Sequence, residues 1–186
     1  APTPISAYLH AAAMVKAGVF LMVRVVSANP AAFPPWLAYL LGGMALLTMF
    51  VALSLYFVQD DLKRLLAFST IAHLGYVLLG LGIAAAGSPD SLRGSALHIL
   101  CHGFAKAILF LCVGVVAYRT GTRSIAKLRG LGRTMPLTAT AFFIGVLAVA
   151  GVPPFACFWS KFTILAGAVK LGGVLGPAVV VVVALV

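Results

Sequence analysis

Long apolar runs alternate with short polar breaks along the whole chain. The runs cover about residues 5–26, 36–58, 62–86, 92–118, 136–152, 155–169 and 174–186. Most are apolar on every side, so neither a helical nor a strand period stands out. Length then decides, and runs of this size predict helices. The breaks between them are rich in turn formers: NPAAFPP at 29–35, QDD at 59–61 and GSPD at 87–90. Asp60 or Asp61 is placed to cap the helix that follows it, as is Ser88 or Asp90.

The expected fold class is all-α, a polytopic transmembrane helix bundle, because a bilayer crossing needs roughly 20 apolar residues. Composition agrees: of 186 residues, 63% are hydrophobic and 9% charged, with a mean hydropathy of +1.15. Soluble domains do not look like this. The formal charge of +10 changes the picture less than its size suggests. Its lysines and arginines lie mostly between the apolar runs and are not interleaved with aromatics on a polar face, so a nucleic-acid partner is not expected.

Topology explains the basic residues better. The loop RTGTRSIAKLRGLGRTMP, 119–136, carries five positive charges and no acid. If 136–169 crosses once, Lys63, Arg64, Arg119, Arg123, Lys127, Arg129 and Arg133 share one face. Arg24, Arg93 and Lys170 fall on the other. The positive-inside rule then makes residues 59–64 and 119–135 cytoplasmic, in a multi-pass protein of the cell inner (plasma) membrane. The chain opens at APTPIS without an initiator Met or a cleavable signal pattern and stops inside VVVVVALV. It reads as an internal piece, residues 1–186, of a longer membrane domain.

The stretch AGVPPFACFWSKF, 150–162, interrupts two apolar halves with Gly151, Pro153 and Pro154. Proline lacks an amide donor and clashes with the preceding turn, so a broken helix is expected here. Broken backbone at membrane depth is tolerated where protein shields it or water reaches it.

The chemistry follows from ionisable groups inside apolar runs. In HILCHGFAKAILF, His98, His102 and Lys106 are spaced by four and so form one stripe on a helix, with neighbours roughly 6 Å apart along the axis. A charge at that depth is costly, which makes intramembrane ionisable residues functional candidates. Water-bridged bases of this kind can pass protons stepwise; histidines can also serve as hydrogen-bonding glue between helices. Lys161, just beyond the break, is the next candidate. His10 and Lys16 share the first helix but point about 120° apart. His10 suits a pathway better, whereas Lys16 either faces a neighbour or snorkels. His73, near Ser69 and Thr70, is an even choice between pathway and structural bonding. Asp61 and Lys63 sit at the cytoplasmic end, where a contact between them is possible and a solvated helix cap is the default reading.

Other chemistries find less support. Haem could use His73 with His98 or His102, but nothing else in the chain backs it. A metal at His98 and His102 lacks a carboxylate or thiolate set. Cys101, Cys112 and Cys157 form no CxxC pattern and read as buried packing residues. There is no glutamate, no phosphate loop and no Ser-His-Asp order. A transport element without cofactor or metal is expected, and nothing points to a covalent enzyme.

Four stretches carry a resemblance: PTPISAYLHAAAMVKAGVF (2–20), DLKRLLAFSTIAHLGYVLLGLG (61–82), HILCHGFAKAILFL (98–111) and GVPPFACFWSK (151–161). In this order they resemble the antiporter-like membrane subunits shared by respiratory complex I and the Mrp sodium/proton antiporters. The resemblance implies a fold of fourteen or more helices with two inverted five-helix repeats, each holding a broken helix. It places His10, His98, His102 and Lys106 on the family's central hydrophilic axis and Lys161 on the broken helix that leads toward an exit. Asp61 and Lys63 match its cytoplasmic motif. The glutamate and lysine of the first half-channel would lie upstream of this chain.

Lys16 in AMVKAGVF and the loop TGTRSIAKLRGL look like the large A subunit of the Mrp branch; Ser124 departs from it, since that branch usually has an aspartate there. The implied function is proton translocation in a multisubunit sodium (or other monovalent cation)/proton antiporter. The alternative is a non-redox, proton-pumping subunit of NADH:quinone oxidoreductase. Implied partners are other membrane subunits, protons, sodium and the lipid bilayer.

Overall fold

The computed structural model describes residues 3–9, 14–29 and 34–172. Within them the chain forms α1 (Thr3–Ala7), α2 (Met14–Ala28), α3 (Pro35–Tyr56), α4 (Leu62–Ala85), α5 (Asp90–Thr120), α6 (Leu131–Thr134), α7 (Pro136–Ala150) and α8 (Ala156–Lys170). A single 3-10 turn at Ile125–Lys127 interrupts the loop after α5. His10 and the run 174–186 lie outside the described residues. Helices α3, α4 and α5 are each long and apolar enough to cross a bilayer.

Local chemistry sets the helix starts. α3 opens on Pro35, whose missing amide hydrogen would have lacked a partner anyway. α4 is capped by Asp61, whose carboxylate accepts from the amides of Lys63 at 2.8 Å and Arg64 at 3.1 Å. α5 departs from expectation. Its cap is Pro89, with no side-chain cap bond, and Asp90 is already helical. Asp90 instead pairs with Lys170 at 2.6 Å and Arg93 at 3.8 Å.

α4 is the centre of the bundle. α3 lays small residues against it, with Ala38, Ala45 and Ala52 buried, and turns Trp36, Tyr39, Leu47 and Phe50 outward. A Cβ at Gly82 would stand 2.9 Å from the amide nitrogen of Gly42, so only glycine lets these two backbones meet. This is how helices associate where lipid removes the hydrophobic drive.

α7 and α8 together run antiparallel to α5. Gly145 of α7 rests on Leu109, Ser91 Oγ donates to the carbonyl of Ile164 in α8 at 3.3 Å, and Lys170 reaches Asp90. The pair therefore lies along α5 as one length of the bundle, broken at 151–155. One end of the bundle gathers Asp60, Asp61, Arg123 and Ser124. The other gathers Asp90, Arg93 and Lys170, and Val23 and Val26 pack with Leu81 toward that end, which brings Arg24 with them.

Candidate functional site in the middle of the bundle

α5 turns His98, His102 and Lys106 onto its buried face, each no more than 2% exposed. α4 contributes His73 and α8 contributes Ser160, both buried as well. His73 Nδ1 lies 3.0 Å from His98 Nε2, and His98 Nδ1 lies 2.8 Å from Ser160 Oγ. Ser160 Oγ donates to the carbonyl of Cys157 at 2.9 Å. That last bond fixes the rest. With its hydrogen committed, Ser160 accepts from His98 Nδ1–H; neutral His98 then accepts at Nε2 from His73 Nδ1–H. The three groups form one directional line.

His102 stacks on His73 with ring centroids 4.6 Å apart, and its Nε2 makes no hydrogen bond among the described residues. One turn on, Lys106 Nζ donates to the carbonyl of Leu66 at 3.0 Å, which also accepts from Thr70 Oγ1. Lys16 of α2 is 6% exposed and lies within electrostatic range of His98, His102 and Lys106. The buried position is the one of its two expected settings that faces a neighbour.

The break in α7–α8 holds the other lysine. Gly151 sits at φ 82°, and the amides of Gly151 and Val152 both donate to Leu147, which ends the helix. The last carbonyls of α7 then lack helical donors. Lys161 reaches back across the break and donates to one of them, Ala150, at 3.2 Å. Its ammonium also lies 4.8 Å from the centroid of the Tyr76 ring. A Cβ at Gly151 would press on Lys161 Cδ at 3.3 Å, so this lysine position and the glycine depend on each other. Pro153 and Pro154 are exposed on the far side of the turn.

A cavity of about 850 Å³ lies between Lys106 and Lys161. Its wall includes Ser69, His73, Tyr76, Lys106, Gly151 and Lys161. A water molecule takes roughly 30 Å³ of liquid, so the space is ample for a hydrated path. Lys106 is sealed from the outside yet forms part of this wall.

No carboxylate balances the cluster, because the chain's only acids are Asp60, Asp61 and Asp90, all at the bundle ends. Like charges roughly 6 Å apart repel by about 3 kcal/mol at an effective dielectric constant near 20. A proton on one base therefore raises the energy of a proton on the next. Among the described residues no group of three or more His, Cys, Asp or Glu is set to hold a metal ion.

Asp61 and Lys63 are not brought to this cluster. Asp61 Oδ2 pairs with Arg123 Nε at 3.4 Å. Asp60 accepts from Ser124 Oγ at 2.6 Å and from the amide of Ala126, and these bonds hold its carboxyl below the ordinary 3.8. Sequence reasoning missed Ser160 and Tyr76. A hydroxyl next to Lys161 on an apolar helix was the available signal for the first.

The family model described as NADH:quinone oxidoreductase/Mrp antiporter, TM, matches residues 1–186. Curated relatives include the chloroplastic NAD(P)H-quinone oxidoreductase subunit 5 of Cryptomeria japonica, 40% identical over 88% of this chain and 22% of that protein. The protein of the same name from Chara vulgaris is 39% identical over 94% of this chain and 26% of its own length. Among solved structures, the Mrp complex from Dietzia sp. DQ12-45-1b contains a chain 38% identical, with a TM-score of 0.88 over 98% of this chain and 20% of that one. A chain of the membrane-bound sulfane sulfur reductase, an archaeal respiratory membrane complex, is 32% identical with a TM-score of 0.82. The chain thus spans about a quarter or less of the curated relatives named here.

Proposed function

Because this chain belongs to the NADH:quinone oxidoreductase/Mrp antiporter membrane family, we propose that it translocates protons as an antiporter-like subunit of a multisubunit cation/proton antiporter. The observation that carries the proposal is the acid-free row of bases along α5, wired by His73, His98 and Ser160, whose Lys106 shares one cavity with Lys161. A proton enters from the end that holds residues 59–64 and 119–135, which the positive-inside rule makes cytoplasmic. It occupies Lys106 and moves through His102 and His98 toward Lys161 at the break. Repulsion between neighbouring charges drives each step. His10 joins the same axis by family resemblance; Lys16, His73, Asp61 and Lys63 tune or couple it. Run in reverse by an inward proton gradient, from Lys161 to Lys106, the same row lets proton entry drive sodium extrusion, with the cation carried by the assembly of partner subunits.

A second reading keeps the same relay in a proton-pumping, non-redox subunit of an NAD(P)H:quinone oxidoreductase. The names of the curated relatives support it. Vesicles bearing the assembled complex separate the two. In the antiporter, a sodium pulse moves protons and NADH with a quinone does not; in the oxidoreductase the reverse holds. Proton movement under neither drive, with the complex intact, refutes the transport function itself.

A further inference from the structure

Two of the three cysteines face each other across the α5–α8 interface. The register shows why. At Gly94 the helices touch backbone to backbone: a Cβ there would stand 2.9 Å from the amide nitrogen of Ile164 and 3.1 Å from the carbonyl of Ser160. The helices are antiparallel, so two turns onward along α5 and two turns back along α8 lead to Cys101 and Cys157. Their thiols are close neighbours across the interface, and Cys101 Sγ lies 3.5 Å from Ser160 Oγ, which itself donates to the Cys157 carbonyl at 2.9 Å. Both are free thiols; Cys157 is 1% exposed, whereas Cys101 is half-buried. Disulfides need Cα atoms about 4.4–6.8 Å apart, and the Gly94 contact draws α5 and α8 close together two turns away.

We propose that Cys101 and Cys157 are a redox-modifiable dithiol, in which a peroxide closes a disulfide that ties the start of α8, just past the break, to α5. The half-buried Cys101 meets the oxidant first. Its sulfur attacks one peroxide oxygen, the O–O bond breaks, and Cys101 becomes a sulfenic acid with release of one water. Cys157 sulfur then attacks the sulfenyl sulfur, the S–O bond breaks, and a second water leaves with the remaining thiol proton. The two sulfurs are oxidised and hydrogen peroxide is reduced to water. The bridge pins Cys157, whose carbonyl receives the Ser160 hydrogen bond, and so fixes α8 beside His98.

The test uses the full-length protein in its native membrane, treated with hydrogen peroxide, blocked with an alkylating agent and cut with trypsin. Peptides 94–106 and 134–161 each hold one of the two cysteines, and Cys112 falls in neither. Oxidation should raise the joined pair several-fold by mass spectrometry, reversibly with a thiol reductant. In a Cys157→Ser protein, Cys101 should instead proceed to sulfinic acid. Both cysteines still separately alkylated after peroxide, or a bridge through Cys112, would overturn the proposal.

Discussion

The middle of the bundle and its Asp60–Asp61 end handle charge in opposite ways. At that end every acid is matched: Asp61 caps α4 and pairs with Arg123, while Asp60 binds Ser124 and the 3-10 turn. Water is near, and such pairs add little to stability but fix a loop. In the middle, His73, His98, His102 and Lys106 share a buried site with no carboxylate at all. A matched pair would hold a proton or a charge still. An unmatched row makes each charge depend on its neighbours, which is what a relay requires.

Placing an acid in the middle should do the most damage. Ser160→Asp sets a carboxylate beside His98 Nδ1 and deepens one proton well by ~3 kcal/mol, which slows proton flux on the order of 100-fold. Ser160→Ala removes the hydroxyl's bonds to His98 and the Cys157 carbonyl but adds no charge, and should cost about five-fold. Fluorescent pH indicators in vesicles measure both; equal rates for the two variants would break the comparison. Gly151→Ala comes next. It forces a left-handed residue with a side chain, at about 1–2 kcal/mol, and pushes Lys161 off Ala150. A few-fold loss of flux with a lowered denaturation midpoint is expected.

The matched end should matter less. Asp61→Ala loses the α4 cap, about 1 kcal/mol, and should lower the denaturation midpoint slightly, with a loss of flux smaller than that of Gly151→Ala. The smallest effect is one of pH. The Asp60 carboxyl is held below 3.8 when the loop is docked, so docking is favoured above that value and fades as pH falls through the lower, docked value. Proteolysis of the 121–135 loop should therefore begin only below about pH 4 and begin earlier in Ser124→Ala.

The bundle was legible in the apolar runs, and the break was legible in Gly151, Pro153 and Pro154, because backbone constraints are local. The stripe of His98, His102 and Lys106 followed from spacing alone. What spacing cannot supply is the partner across an interface. His73 was an even choice in sequence, yet it stacks on His102 and bonds His98 because α4 lies against α5. Ser160 and the Asp60–Ser124 tie join residues more than sixty positions apart, where only packing decides. The start of α5 went to Pro89 because Asp90 found Lys170 instead.

The central claim is that the amine at position 106 gains and loses a proton during turnover. Lys106→Arg tests it most directly, since a guanidinium keeps charge and donors but does not deprotonate. With assembly intact, proton flux in vesicles should fall at least about tenfold and match that of Lys106→Ala. A wild-type rate in Lys106→Arg would contradict the relay.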